Sequence, residues 1–87
     1  MDLAPKTAVI LKDGKEISVN EEDVKIDDIL VVKKGDVVAV DGVIIEGSAS
    51  IDQANITGES MPVFKEVGEE VYSSTTISAG YIKMRAT

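Results

Sequence analysis

The stretch "TAVILKDGKEISV", Thr7 to Val19, decides the fold class. Two apolar runs, Ala8 to Leu11 and Ile17 to Val19, flank Asp13-Gly14. An Asp-Gly pair reaches the positive φ angles of a tight primed turn, so the stretch predicts a β-hairpin. Working outward, "NEEDV", Asn20 to Val24, reads as a polar connector with one helical turn capped by Asn20. Ile29 to Val32 is a continuous apolar run and predicts a strand buried on both faces. Lys34-Gly35-Asp36 reads as a turn, Val37 to Val40 as a strand, Asp41-Gly42 as another turn, and Val43 to Glu46 as a strand that Gly47 ends. Ser50 to Asp52 reads as a further short strand. Pro62 confines Met61 and Val63 to edge or extended positions. Val71 to Ser73 and Ser74 to Ile77 read as extended. The last segment alternates, with Tyr81, Lys83, Arg85 and Thr87 on one face and Ile82, Met84 and Ala86 on the other.

Turn signals recur about every 8–12 residues and no segment sustains a helical period. The expectation is an all-β domain, a small distorted β-sandwich or jelly-roll-like unit. The strands around Ile29 to Val32 and Val37 to Ile45 should form its centre. Phe64, Tyr72 and Tyr81 are the only aromatics, so Val, Ile and Ala must build the core. Met61, Phe64 and Met84 read as packing residues.

Composition narrows the function. The chain has 87 residues, enough for one small domain. It has no cysteine and no histidine, which excludes disulfides, thiolate or imidazole metal sites, and Ser-His or Cys-His nucleophiles. A net charge of −7 argues against a nucleic-acid partner, which needs a basic stripe. No apolar run approaches the roughly 18 residues of a membrane span. Strand-like sequence lies close to both ends, which suggests a domain excised from a longer protein.

The chemistry concentrates in "NITGES", Asn55 to Ser60. Thr, Gly and Ser are ordinary turn residues, and Glu59 could be a solvated side chain. Asn55-Ile56-Thr57 also fits a glycosylation sequon, though no secretion signal accompanies it. Ser50 and Gln53 fit a capping box, which would put one helical turn over Asp52 to Ile56. A chemical reading stands beside these. A glutamate on a glycine-containing loop can accept a proton from water and aim that water at an electrophile. Glycine lets the backbone approach a bulky anion. Flanking hydroxyls can donate to phosphoryl oxygens. The phosphate cradle, magnesium ligands and nucleophile of a complete phosphoryl-transfer site are missing. The loop suits half of a hydrolysis, with the other half on another domain.

"TGES", Thr57 to Ser60, resembles the signature loop of the actuator domain of P-type ATPases. The resemblance covers essentially the whole chain. Asp41-Gly42, Gly47 and Asp52 upstream, and Pro62, Lys65 and Gly68 downstream, stand at the family's spacing. "DQANITGESMPV" is most similar to the heavy-metal transporting branch. Gln53-Ala54 leans towards zinc/cadmium exporters, with a copper exporter as the alternative. Departures fall outside the loop. Asp27-Asp28 stands where Gly-Asp is usual, Lys34-Gly35 where Pro-Gly is usual, Ser74-Thr75 where Gly-Thr is common, and Ala39 where proline is frequent.

The resemblance implies that residues 1–87 form a cytoplasmic domain inserted between membrane helices of a multi-pass cell-membrane pump. Glu59 would position water on an aspartyl phosphate held by the phosphorylation domain of the same polypeptide. Thr57 and Gly58 would shape the loop and contact the phosphate region, and Ser60 would support it. Rotation of the domain would pull on the membrane helices. ATP and magnesium would act in the full-length pump, with no cofactor or metal bound by this domain and the transported ion held elsewhere. The isolated domain would be an inactive monomer.

Other residues read more simply. Lys33 and Lys34 suggest a solvated edge, Lys65 a surface partner of Glu66 or Glu69, and Asp41 and Asp52 acceptors of backbone hydrogen bonds. A rival class is the biotinyl or lipoyl carrier, because Ile82-Lys83-Met84 resembles a modified lysine beside methionine. A carrier lysine sits at the tip of a central hairpin, whereas Lys83 is close to the end of the chain. A non-catalytic interaction domain is the third possibility.

Overall fold

The computed structural model describes residues 7–58 and 61–87, with the side chains of Asn55 and Thr57 left out of the description. Its strands are β1 (Thr7–Lys12), β2 (Lys15–Asn20), β3 (Ile29–Lys33), β4 (Gly42–Asp52), β5 (Val63–Glu66), β6 (Glu70–Val71) and β7 (Thr76–Ala86). A 3-10 turn (Glu21–Asp23) and one short helix, α1 (Ala54–Thr57), complete it. The strands form one sheet in the order β2-β1-β3-β7-β4-β5, with β6 also on β4, and every pairing is antiparallel.

The opening hairpin forms as its sequence demands. Lys12 pairs with Lys15, and Asp13 and Gly14 take φ of 53° and 78°, the two positive angles of a type I′ turn. Asn20 stands at the N-cap of the 3-10 turn, but its side chain makes no capping hydrogen bond. The β1–β3 ladder is only two residue pairs long. The hairpin therefore swings across β3, and Glu16 reaches Lys33 at 3.5 Å.

β4 and β7, 11 residues each, are the central pair. The expected strands Val43–Glu46 and Ser50–Asp52 prove to be one strand. Gly47 bends it instead of ending it. Gly47 has φ of 84°, and a Cβ there would lie 2.6 Å from the Tyr81 carbonyl oxygen. Across the ladder Gly80 has φ of 85°, with the Ser48 carbonyl oxygen 2.5 Å from a Cβ. Register shifts at Ile44/Glu46 and Ser50/Ile51 add local twist, and the sheet coils around its core.

Two other strand boundaries need correction. Val37 to Val40 is not a strand; Val37 makes only an isolated bridge with Thr76. The Gly35 N–H donates to the Ile77 carbonyl at 2.8 Å, while the Ile77 N–H donates to the Asp36 carbonyl at 3.0 Å. Two residues thus oppose one, which breaks the regular ladder. Asp41-Gly42 is a cross-brace rather than a hairpin turn. Asp41 Oδ1 accepts the Ser73 N–H at 2.8 Å, and Gly42 already pairs with both Ala86 and Val71. That bond and the positive φ of Ser74, 69°, end the extended stretch after Val71, so β7 starts only at Thr76.

Leu30, Val38, Ile44, Ile51, Val71, Ile77, Ile82 and Met84 are fully buried in one cluster. Ile82, Met84 and Ala86 alternate inward along β7 as the pattern predicts. Val31 is buried as well, on the face opposite its neighbours Leu30 and Val32, which bears out the two-sided burial of that run. Met61 and Phe64 are not core residues; they are 73% and 60% exposed. On the outer face Lys83 of β7 meets Glu46 of β4 at 2.9 Å. That hydrogen bond, and then the charge of Glu46, holds the Lys83 ammonium above its ordinary pKa.

Candidate functional site

β4 delivers the chain to the loop. At its end Asp52 Oδ1 accepts the Ala54 N–H at 2.9 Å, a local bond that turns the backbone out of the strand. Gln53 follows at the N-cap position, with φ of −112° and ψ of 18°. The Ile56 N–H then donates to the Gln53 carbonyl, and the Gly58 N–H to the Ala54 carbonyl, both at 2.9 Å. Gly58 closes the turn in the left-handed region, at φ of 78° and ψ of 0°. A non-glycine residue there would be strained, although the space beside its Cα is open.

The expected capping box does not form. Ser50 lies inside β4, paired with Phe64 and Ala79, too far back to cap a helix that starts at Ala54. Asp52 takes the role that its hydroxyl was expected to play, and it accepts a backbone hydrogen bond as its own reading anticipated.

Of the four residues expected to carry the chemistry, Gly58 is exposed at the end of α1, and Thr57 is the last residue of that helix. Glu59 and Ser60 lie outside the described residues, as does the side chain of Thr57. After the loop Met61 and Pro62 are exposed, and β5 returns along β4 with Val63 opposite Ile51. The motif therefore lies in the connection between the neighbouring strands β4 and β5, and the described residues on either side of Glu59 and Ser60 are exposed. A cleft of about 380 Å³ opens elsewhere, against Ala8, Val31, Val37 and Ala39.

Two contacts had no signal in the sequence. Lys65 does not pair with Glu66 or Glu69. Its Nζ donates to the Glu70 carbonyl at 2.6 Å and stands 4.8 Å from the centre of the Tyr72 ring. The reason is local: the Glu66 N–H donates to Glu69 Oε2 at 2.8 Å, which occupies that carboxylate in the turn. Gln53 is buried, 7% exposed, although nothing in "DQAN" separates it from its exposed neighbours. Lys83 is half-buried in the middle of β7 and engaged with Glu46, so the hairpin-tip lysine of a carrier is not found at that position. Among the described residues no three acidic side chains gather as a metal cage.

Comparison with known proteins places this architecture. The model of the P-type ATPase actuator domain matches residues 2–87. The chain belongs to that family. A probable copper-exporting P-type ATPase of Archaeoglobus fulgidus is 46% identical over 85 residues, 98% of this chain and 11% of that protein. A probable cadmium-transporting ATPase of Staphylococcus aureus is 42% identical over all of this chain and 12% of its own length. The actuator domain thus spans about an eighth of the length of these relatives. A crystal structure of a zinc-transporting PIB-type ATPase superposes on all of the chain with a TM-score of 0.91 at 29% identity, covering 14% of that structure.

The family likeness also explains two backbone oddities. Asp27 and Ser74 have φ of 75° and 69°. They are the two positions where the resemblance leads one to expect glycine. Both positions hold a left-handed conformation that glycine would adopt at less cost. At the first turn the Lys25 N–H donates to Asp28 Oδ2 at 2.9 Å and Arg85 pairs with Asp27 at 3.2 Å.

Proposed function

We propose that this actuator domain serves a heavy-metal transporting P-type ATPase, on the cytoplasmic side of a multi-pass membrane protein. Glu59 positions the water that hydrolyses an aspartyl phosphate on the phosphorylation domain of the same polypeptide. Thr57 and Gly58 shape the loop against the phosphate region, and Ser60 supports it. The observation that carries this reading is the exposure of the residues that flank the motif's acid. An 11-residue strand ends in a single capped turn that Gly58 closes in the left-handed region, and Gly58, Met61 and Pro62 on either side of the motif's acid are exposed. A carboxylate carried between exposed neighbours suits a substrate that belongs to another domain.

The relatives named for copper and cadmium support a heavy-metal ion as the cargo. Gln53-Ala54 favours the zinc/cadmium side. ATP and magnesium would act on the rest of the pump, and no step is assigned to a metal on this domain.

The test is Glu59→Gln in the full-length pump. Phosphorylation by ATP should persist, while phosphoenzyme breakdown slows about 10²–10⁴-fold, the usual worth of a general base. That corresponds to roughly 3–5 kcal/mol of barrier. Breakdown at the unaltered rate would overturn the reading.

A further inference from the structure

The chain leaves the core at Gln53 and re-enters it at Val71. Between them every residue whose burial is described is exposed, apart from the half-buried Lys65. The loop is thus an excursion whose entrance is held by one buried side chain, and that side chain is polar. Gln53 and Thr75 are the buried polar residues among those described. A buried amide is unfavourable unless it is hydrogen-bonded, and a leucine or methionine would fill a similar volume without that demand. An amide has direction, however, which an aliphatic side chain lacks.

Gln53 does not spend that direction on capping. It stands at the N-cap of α1, yet its side chain makes no hydrogen bond to the first turn, where Asp52 serves instead. Its carbonyl accepts the Ile56 N–H at 2.9 Å. The residue therefore holds α1 through its main chain and enters the core through its side chain. Asp52 pairs with Thr76, so Gln53 and Thr75 are the first residues beyond the β4–β7 ladder. Thr75 is itself fixed, its Oγ1 donating to the Tyr72 carbonyl at 2.7 Å. The returning limb is tied close by, through Lys65 to Glu70 and the Tyr72 ring.

We propose that Gln53 is the positioning residue of the hydrolytic loop: its buried amide fixes how α1 sits on the end of the β4–β7 ladder, and so where Glu59 meets the phosphate. The inference rests on the reading of Glu59 given above.

The experiment compares Gln53→Leu, Gln53→Met, Glu59→Gln and the Gln53→Leu/Glu59→Gln pair in the full-length pump. Melting of the 87-residue chain and its amide exchange are followed in parallel. Gln53→Leu and Gln53→Met should form phosphoenzyme normally and break it down about ten- to a hundredfold more slowly, the scale of a small misplacement. Their melting should fall only slightly, because the apolar isostere keeps the volume filled while the partner of the lost amide is left to find another bond. Exchange at Ile56 and Gly58 should accelerate while β4 and β7 keep their protection. Gln53→Leu should add nothing in the Glu59→Gln background, since it acts through that carboxylate. Sharply lowered melting with phosphorylation and breakdown impaired alike would overturn the proposal in favour of a structural glutamine, as would additive slowing in the pair. Normal breakdown in both Gln53 variants beside slow breakdown in Glu59→Gln would overturn the proposal and leave the role of Glu59 standing. Normal breakdown in Glu59→Gln as well would overturn both.

Discussion

At Gly58 and Ser74 the backbone makes the same demand of two different residues. Both have positive φ, but only one is a glycine. Gly58→Ala should therefore destabilise the domain by about 1–2 kcal/mol, the cost of a left-handed L-residue, although nothing stands within 4 Å of the new methyl. Ser74→Gly should do the opposite and stabilise by roughly 0.5–1 kcal/mol, less what the serine side chain itself contributes. Chemical denaturation midpoints of the two variants check this pair, and a shift of the same sign in both would refute it. The sequence already marked Ser74-Thr75 as a departure from the family's Gly-Thr. It could not show that the left-handed turn survives the change, because a dihedral angle is set by the hydrogen bonds on either side. The Ser74 N–H donates to Val38 and the Ser73 N–H to Asp41, residues more than thirty positions away. The site divides in the same way. Its chemistry is legible in four letters, whereas the burial of Gln53 and the bond from Lys65 to Glu70 are products of packing and left no periodic trace.

Among the elements, the short hairpin and the second half of β7 were legible, whereas the continuity of β4, and of β7 through Gly80, was not. An Asp-Gly turn and a strict alternation are local patterns, satisfied by the residues that show them. Gly47 looks like a strand end because glycine usually is one, yet here it permits a close crossing with Tyr81. The central pairing makes distinct energetic predictions for its two faces. Ile44 is 1% exposed within the main cluster, and Ile44→Ala should cost about 2–5 kcal/mol through lost burial and the cavity left behind. Val31 is 5% exposed on the other face and loses fewer atoms, so Val31→Ala should cost less, about 1–3 kcal/mol. Equal losses would mean that both faces pack equally tightly. The Lys83–Glu46 pair crosses the same ladder and gives it a pH dependence. The pair raises the Lys83 pKa in the folded state, through the hydrogen bond to Glu46 first and its charge second. Its contribution is therefore complete below the ordinary lysine pKa and is lost as pH rises through the folded value. The melting difference between the parent domain and Glu46→Gln should shrink on that alkaline rise and stay constant between pH 6 and 8; a difference that grows with pH would reverse the sign.

For the whole molecule, the topology joins a stiff body to a short, exposed turn. β7 lies between β3 and β4, so the central ladder ties the N-terminal hairpin to the strands that carry the loop. Its two long strands bring Ile44, Ile51, Ile77, Ile82 and Met84 into one buried cluster. Opening any part of that ladder exposes the core, so β4 and β7 amides should exchange with solvent only through global unfolding. α1 is different. It is a single turn of four residues, exposed wherever it is described and held by Asp52 at one end and a left-handed glycine at the other. Its Ile56 and Gly58 amides should exchange by local opening, at a free energy well below the global value. If the domain works by turning as one piece to bring Glu59 onto a phosphate, this division is what the mechanism requires. The body must transmit force without deforming, and the loop must adapt at contact. Native-state hydrogen exchange at increasing denaturant separates the two cases. Exchange at Ile56 and Gly58 should hardly respond to denaturant, while Ile44, Ile82 and Met84 should follow the full unfolding slope. Should the β4 and β7 amides instead open locally with a shallow slope, the sheet would be too compliant to carry a rotation into membrane helices, and the coupling that the family resemblance implies would fail even with Glu59 fully competent to direct water.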